Sequence, residues 1–129
     1  MPAVLSHVTV STADFATSLA FYEAALSEIG LDRLAEFGDE EEDDPALEAA
    51  AWGSDQPVFW LVRGRPTQHV HLAFAADDRR AVDAFHGAAV SAGGSSHDAP
   101  RRWVIYRRGR YGAIVRDPDG NLVEVTAPE

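Results

Sequence analysis

Apolar and polar side chains alternate along Leu5–Val10 and again along His69–Phe74, the pattern of strands with one buried face. Behind each, the period lengthens to that of a helix. Phe15, Leu19, Tyr22, Leu26 and Ile29 recur at helical spacing after Asp14, and Val82, Phe85 and Ala89 do so after Asp77. The two aspartates are the expected N-caps, and Gly30 and Gly93-Gly94 the expected stops. Three short strands are predicted after each helix. In the first half they fall near Arg33–Phe37, Leu47–Trp52 and Val58–Arg63. In the second they fall near Ser95–Asp98 or Trp103–Tyr106, then Tyr111–Arg116, then Asn121–Thr126. Asp117-Pro118-Asp119-Gly120 predicts a tight turn before the last strand.

The halves are one pattern written twice. A shift of 64 positions lays His7 on His71, Val8 on Leu72, Val10 on Phe74, Ala20-Phe21-Tyr22 on Ala84-Phe85-His86, Ala24-Ala25 on Ala88-Ala89 and Gly30 on Gly94. The same shift sets Trp52-Gly53-Ser54-Asp55 against Arg116-Asp117-Pro118-Asp119. The predicted fold is α+β, a single domain made of two tandem βαβββ modules, about 1–64 and 65–129.

Composition narrows the chemistry. The chain has 129 residues, enough for one core, and no Cys, which excludes disulfides, thiolate nucleophiles and cysteine metal sites. All 11 basic residues are Arg, so lysine Schiff bases and a Walker lysine are excluded. A formal net charge of −10 opposes nucleic acid and anionic membranes as partners. With no long apolar run and no basic-then-apolar leader, a soluble cytoplasmic protein is expected. The six carboxylates Asp39–Asp44 are expected to form an exposed loop between strands. Arg101, Arg102, Arg107, Arg108 and Arg110 suit either a grip on an anionic substrate or a solvated hairpin, and the sequence favours the hairpin.

Ser6-His7-Val8-Thr9-Val10, Phe21-Tyr22, His71-Leu72-Ala73-Phe74, and Tyr111-Gly112-Ala113 leading into Asp117–Val125 carry a resemblance through their order and spacing. The chain resembles the glyoxalase/bleomycin-resistance/dioxygenase superfamily, the vicinal oxygen chelate fold, over nearly all its length. The resemblance implies a cup-shaped mixed sheet around a divalent metal, with ligands from the first and last strands of each module. The matching positions are His7, Trp60, His71 and Glu124. Trp60 cannot ligate, so His7, His71 and Glu124 remain, a set suited to Zn, Fe, Mn, Ni or Co with positions left open. Alternation supports a shared direction: if Val8, Leu72 and Val123 face the helices, His7, His71 and Glu124 face the cup.

Glu124 and Tyr111 are the candidate catalytic residues, and Trp60 and His69 the candidate walls of a substrate pocket. His86 reads as structural. The resemblance implies a metal-dependent enzyme, a lyase or isomerase or a ring-cleaving dioxygenase, acting on a small substrate with vicinal oxygens. The alternative is a metal-free protein that binds a drug or metabolite, as the bleomycin-resistance branch does. Because many short members are dimers, a homodimer is expected, with His7 from one chain and His71 and Glu124 from the other if the modules swap.

Overall fold

The computed structural model describes residues 1–38, 48–104 and 110–129. The first module runs β1 (Val8–Thr12), α1 (Phe15–Ser27), β2 (Asp32–Phe37), β3 (Ala49–Gly53) and β4 (Pro57–Arg63). The second runs β5 (His71–Ala75), α2 (Arg79–Ser91), β6 (Ser95–Trp103), β7 (Arg110–Arg116) and β8 (Leu122–Pro128). This is βαβββ twice, in two four-stranded mixed sheets ordered β1-β4-β3-β2 and β5-β8-β7-β6. The first and last strand of each module pair in parallel, and the other neighbours are antiparallel. The acidic run Asp39–Asp44 lies outside the described residues, as do Tyr106, Arg107 and Arg108.

The 64-residue offset holds at the level of register. Val8 pairs with Phe59 as Leu72 pairs with Val123, and Thr9 with Trp60 as Ala73 with Glu124. The helices obey it too, Phe15–Ser27 against Arg79–Ser91. It fails in the late hairpin, where the first module is one residue shorter. Trp52 faces Phe59 and Val115 faces Val123, so Trp52 is the equivalent of Val115 rather than of Arg116. Burial agrees, because Trp52 and Val115 are both inside and Arg116 is exposed.

Local chemistry sets the helix limits. Asp14 accepts from the backbone N–H of Thr17 at 3.2 Å and from its hydroxyl at 2.7 Å, and these two bonds hold its carboxyl below the ordinary Asp range. The cap of α2 is Asp78, not the expected Asp77: its carboxylate accepts from Ala81 N–H at 2.9 Å. Both helices stop at glycines with φ of 82° (Gly30) and 108° (Gly93), and the next N–H bonds five residues back, Leu31 to Leu26 and Gly94 to Ala89. Gly94 is needed for a second reason. A Cβ there would stand 2.4 Å from the Phe21 ring and 2.7 Å from the Arg116 carbonyl, so its bareness lets the end of α2 meet both α1 and β7.

One hydrophobic cluster runs through both modules. Tyr22 packs on Phe59 (centroids 4.7 Å) and Phe59 on Phe74 (6.2 Å), with Leu26, Trp52, Phe85 and Val125 fully enclosed around them. A polar lock ties the same region together. Tyr22 donates to Asp117 at 2.5 Å, and the two oxygens of Asp117 also accept from the N–H groups of Asp119 and Asn121, both at 2.9 Å, and from Asn121 Nδ2 at 3.3 Å. Asn121 in turn accepts from Val70 N–H and donates to the Thr67 carbonyl, and Thr67 bonds the backbone of Ser11. The connection between modules is thereby fastened to β1, to α1 and to the turn before β8. No helix among the described residues is long and apolar enough to cross a membrane.

Candidate metal centre and cavity

Parity along the second sheet sorts its side chains into two groups. Val123, Val125 and Ala127 face α2 and are fully buried, which turns Leu122, Glu124 and Thr126 to the other face. On β5, Leu72 and Phe74 point inward and His71, Ala73 and Ala75 outward. His71 and Glu124 are therefore diagonal neighbours on one face, one step apart across the β5–β8 ladder. His71 Nε2 and Glu124 Oε1 stand 2.8 Å apart. The pair is graded in exposure, with 10% of the Glu124 side chain accessible against 50% for His71. An imidazole thus meets solvent with a sheltered carboxylate behind it.

Two such donors fit adjacent corners of one divalent ion, whose ligand bonds of about 2.0–2.2 Å set neighbouring donors about 3 Å apart. The third expected ligand does not join them. Among the described residues no three His, Asp or Glu side chains converge closely enough to hold an ion. His7 lies just before β1 begins, is exposed, and has Ser6 Oγ 3.2 Å from its Nδ1. It does border the same opening as His71. A cavity of about 310 Å³ lies between the N-terminal arm, β4 and β5, with His7 and His71 at its polar rim and Val8, Phe59, Leu72 and Phe74 among its apolar walls.

Three other candidate residues lie apart from the His71–Glu124 pair. Tyr111 pairs with Ala127 on the helix-facing side of β7, whereas Glu124 pairs with Ile114, so the two stand on opposite faces of the sheet. The Tyr111 hydroxyl donates to Asp83 of α2 at 2.6 Å, and that bond raises its pKa above the ordinary phenol value. Tyr111 belongs to the sheet–helix seam. His69 has φ 63°, which breaks the alternation that would have aligned it with His71, and it lies outside the strand and outside the cavity lining. Trp60 shares a face with its ladder partner Thr9 and stacks on Phe37 (6.2 Å, 8°), without lining the cavity. It is the register equivalent of Glu124, so only the second module carries a carboxylate there. His86 bonds Ser96 at 2.8 Å, a structural contact as expected.

Two groupings escaped the sequence reading. Tyr22 and Asp117 read as core and turn, and nothing local announces that they meet; burial, then the charge and hydrogen bond of Asp117, raise the Tyr22 pKa well above the usual phenol value. The other is Arg101 lying over the Trp103 ring, 3.8 Å from its centroid. Arg102, one residue on, pairs instead with Glu129 on the opposite face. The arginine-rich stretch is therefore divided between two faces.

Comparison with known proteins gives the fold a context. The family model described as Glyoxalase/Bleomycin resistance protein/Dioxygenase superfamily matches residues 4–125. No curated protein matches the chain. Among solved structures, a glyoxalase/bleomycin resistance protein from Albidiferax ferrireducens T118 is 27% identical, covers 97% of this chain and 99% of its own, and superposes with a TM-score of 0.79. The fosfomycin resistance protein FosX from Listeria monocytogenes, complexed with Mn(II) and sulfate, is 18% identical over 100% and 95% of the two chains (TM-score 0.67). A lactoylglutathione lyase from Agrobacterium tumefaciens is 20% identical over 98% and 94% (TM-score 0.66).

Proposed function

Because the chain belongs to the Glyoxalase/Bleomycin resistance protein/Dioxygenase superfamily, we propose that it is a divalent-metal-dependent enzyme acting on a small substrate with two neighbouring oxygens, of the lyase/isomerase or ring-cleaving dioxygenase type. The observation that carries this reading is the His71–Glu124 pair, two unlike donors 2.8 Å apart on one sheet face. These two residues and His7 would hold the ion, Zn, Fe, Mn, Ni or Co. When bound, it supplies Lewis acidity toward the paired oxygens of the substrate.

The chain's own groups do the rest. Before an ion binds, the sheltered Glu124 carboxylate stands 2.8 Å from Nε2 of His71 and keeps the ring turned toward the point the ion would take, where both atoms would become ligands. The apolar cavity walled by Val8, Phe59, Leu72 and Phe74 opens beside His71, while Glu124 is not among its lining residues. Trp60 replaces the carboxylate that lactoylglutathione lyases of the superfamily use at this position, which argues against that particular activity.

His7 comes to His71 and Glu124 from a second copy, in a homodimer. Two observations support this. Among the described residues the donors that meet within one chain stop at two, and the arm bearing His7 exposes Val4 and Leu5 at 87% and 80%, apolar surface that a partner would cover. A second reading, metal-free capture of a drug or metabolite, is favoured by the apolar cavity walls alone.

Elemental analysis of protein purified without chelator or affinity metal separates the two. About one equivalent of a transition metal per chain is expected, lost in His71→Ala, with a dimer mass by light scattering. Metal-free protein that also fails to take up added Mn(II), Fe(II), Ni(II) or Zn(II) refutes the enzyme reading. Tight binding of a cationic aromatic to that protein would then establish capture.

A further inference from the structure

The face of the second sheet that carries His71 and Glu124 continues across β7 to β6, and its far end holds a positively charged aromatic platform. Gly112 faces Thr126 on one side and Arg101 on the other. A Cβ at Gly112 would stand 2.9 Å from the Val125 carbonyl, 3.2 Å from Thr126 Cγ2 and 3.4 Å from Trp103 Nε1. The Thr126 and Trp103 side chains therefore share this face, and the bare glycine is what lets the indole lie over β7. Trp103 Nε1–H donates to the Gly112 carbonyl at 3.2 Å, which fixes the ring. On that ring rests the Arg101 guanidinium, 3.8 Å from the centroid.

We propose that Arg101, held over the Trp103 ring, is an anion-binding subsite of the same site, so that the substrate carries a carboxylate, phosphate or phosphonate remote from its paired oxygens. This rests on the proposed function above and adds the substrate class to it. A guanidinium over an aromatic face is held by the ring without using its N–H donors in hydrogen bonds, and its planar fork matches an oxyanion. The carboxylate paired with Arg101 is Asp98, whose oxygen at 3.7 Å is beyond hydrogen-bond distance, so the donors are not used up. Arg110, the ladder partner of Trp103, adds a second guanidinium to this face and has no carboxylate partner among the described residues. Two strand spacings and two residues of rise separate Arg101 from Glu124, about 12 Å between backbones. A substrate that reached both ends of this face would have to bridge that span.

Two arms test this. In the first, metal-free ¹⁵N-labelled protein is titrated with phenylphosphonate and, separately, with benzoate, following the three indole N–H signals, with Trp103→Phe assigning its own. At least one anion is expected to move the Trp103 signal saturably while that of buried Trp52 stays still, and Arg101→Gln should weaken the response at least tenfold. An unmoved Trp103 signal, or an Arg101→Gln titration like that of wild type, overturns the subsite.

In the second arm, protein loaded with Mn(II) is titrated with 3,4-dihydroxyphenylacetate and with its methyl ester. The acid is expected to bind about tenfold tighter than the ester, and Arg101→Gln should make the two equal. Equal binding in wild type overturns the shared site. Protein that passes the first arm yet binds neither catechol keeps the anion subsite and loses the metal-dependent reading.

Discussion

Replacing Asp117 by Ala should be among the most damaging single changes in the chain, and the reason lies in what it strands. Four donors converge on its carboxylate: the Tyr22 hydroxyl, the N–H groups of Asp119 and Asn121, and Asn121 Nδ2. The Asp119 N–H, only part-buried, can turn to water. The hydroxyl of Tyr22 and the N–H of Asn121 cannot, since both residues are 1% exposed. A buried donor left without an acceptor costs about 1–3 kcal/mol, so two give about 4 kcal/mol, a large part of the ~5–15 kcal/mol that holds a domain folded.

Urea unfolding of metal-free protein, at one fixed protein concentration, measures it. With a slope of about 2 kcal/mol per molar, the midpoint should fall by about 2 M. Tyr22→Phe alone should cost only about 1 kcal/mol, because Asp117 keeps its other three donors. In the Tyr22→Phe background the Asp117→Ala loss should shrink by about 1–2 kcal/mol, the hydroxyl having gone. An Asp117→Ala loss below about 1 kcal/mol, or strict additivity of the two changes, would refute the reasoning.

Two other outcomes follow from details of the same kind. The folded state keeps the Tyr22 phenol protonated beyond its ordinary range, so the stability linked to it is complete below pH ~10, where the unfolded chain ionises, and is lost as pH rises beyond that. Tyr22→Phe should flatten this alkaline decline, and an unchanged slope in an alkaline denaturation series would contradict the assignment. Asp78→Ala should destabilise by about 1 kcal/mol through loss of the α2 cap, while Asp77→Ala should lie within about 0.5 kcal/mol of wild type. The reverse order in thermal melts would return the cap to Asp77.

The element order was legible because the two periodicities and the 64-residue repeat reinforce each other, and the repeat survives as register in the parallel pairs. Where the sequence misled, the cause is specific. At Asp77-Asp78 composition could not choose a cap, although the offset from Asp14 points to 78. The late hairpins were slid by one position because a residue is missing from the first, and buried Trp52 was set against exposed Arg116. The meeting of His71 and Glu124 was legible through the family resemblance, which pairs the first and last strands of a module, with alternation supporting their shared direction. Tyr111 has the chemistry of a site residue, but its parity is opposite to that of Glu124 and turns it to α2. The positive φ of His69 and the meeting of Tyr22 with Asp117, 95 positions apart, depend on the tertiary fold and leave no local mark.

The lock through Tyr22 and Asp117 exists once, not twice. Shifting by 64 turns Tyr22 into His86, which is engaged with Ser96, and the one-residue slip of the late hairpin sets Asp117 against Ser54, which is exposed and has no carboxylate to offer. The halves have ceased to be interchangeable. A chimera of two leading halves would carry the tyrosine with nothing to receive its proton, and one of two trailing halves the acid with no phenol. Each copy has become an obligate complement of the other, and the ancestral symmetry survives in the backbone alone.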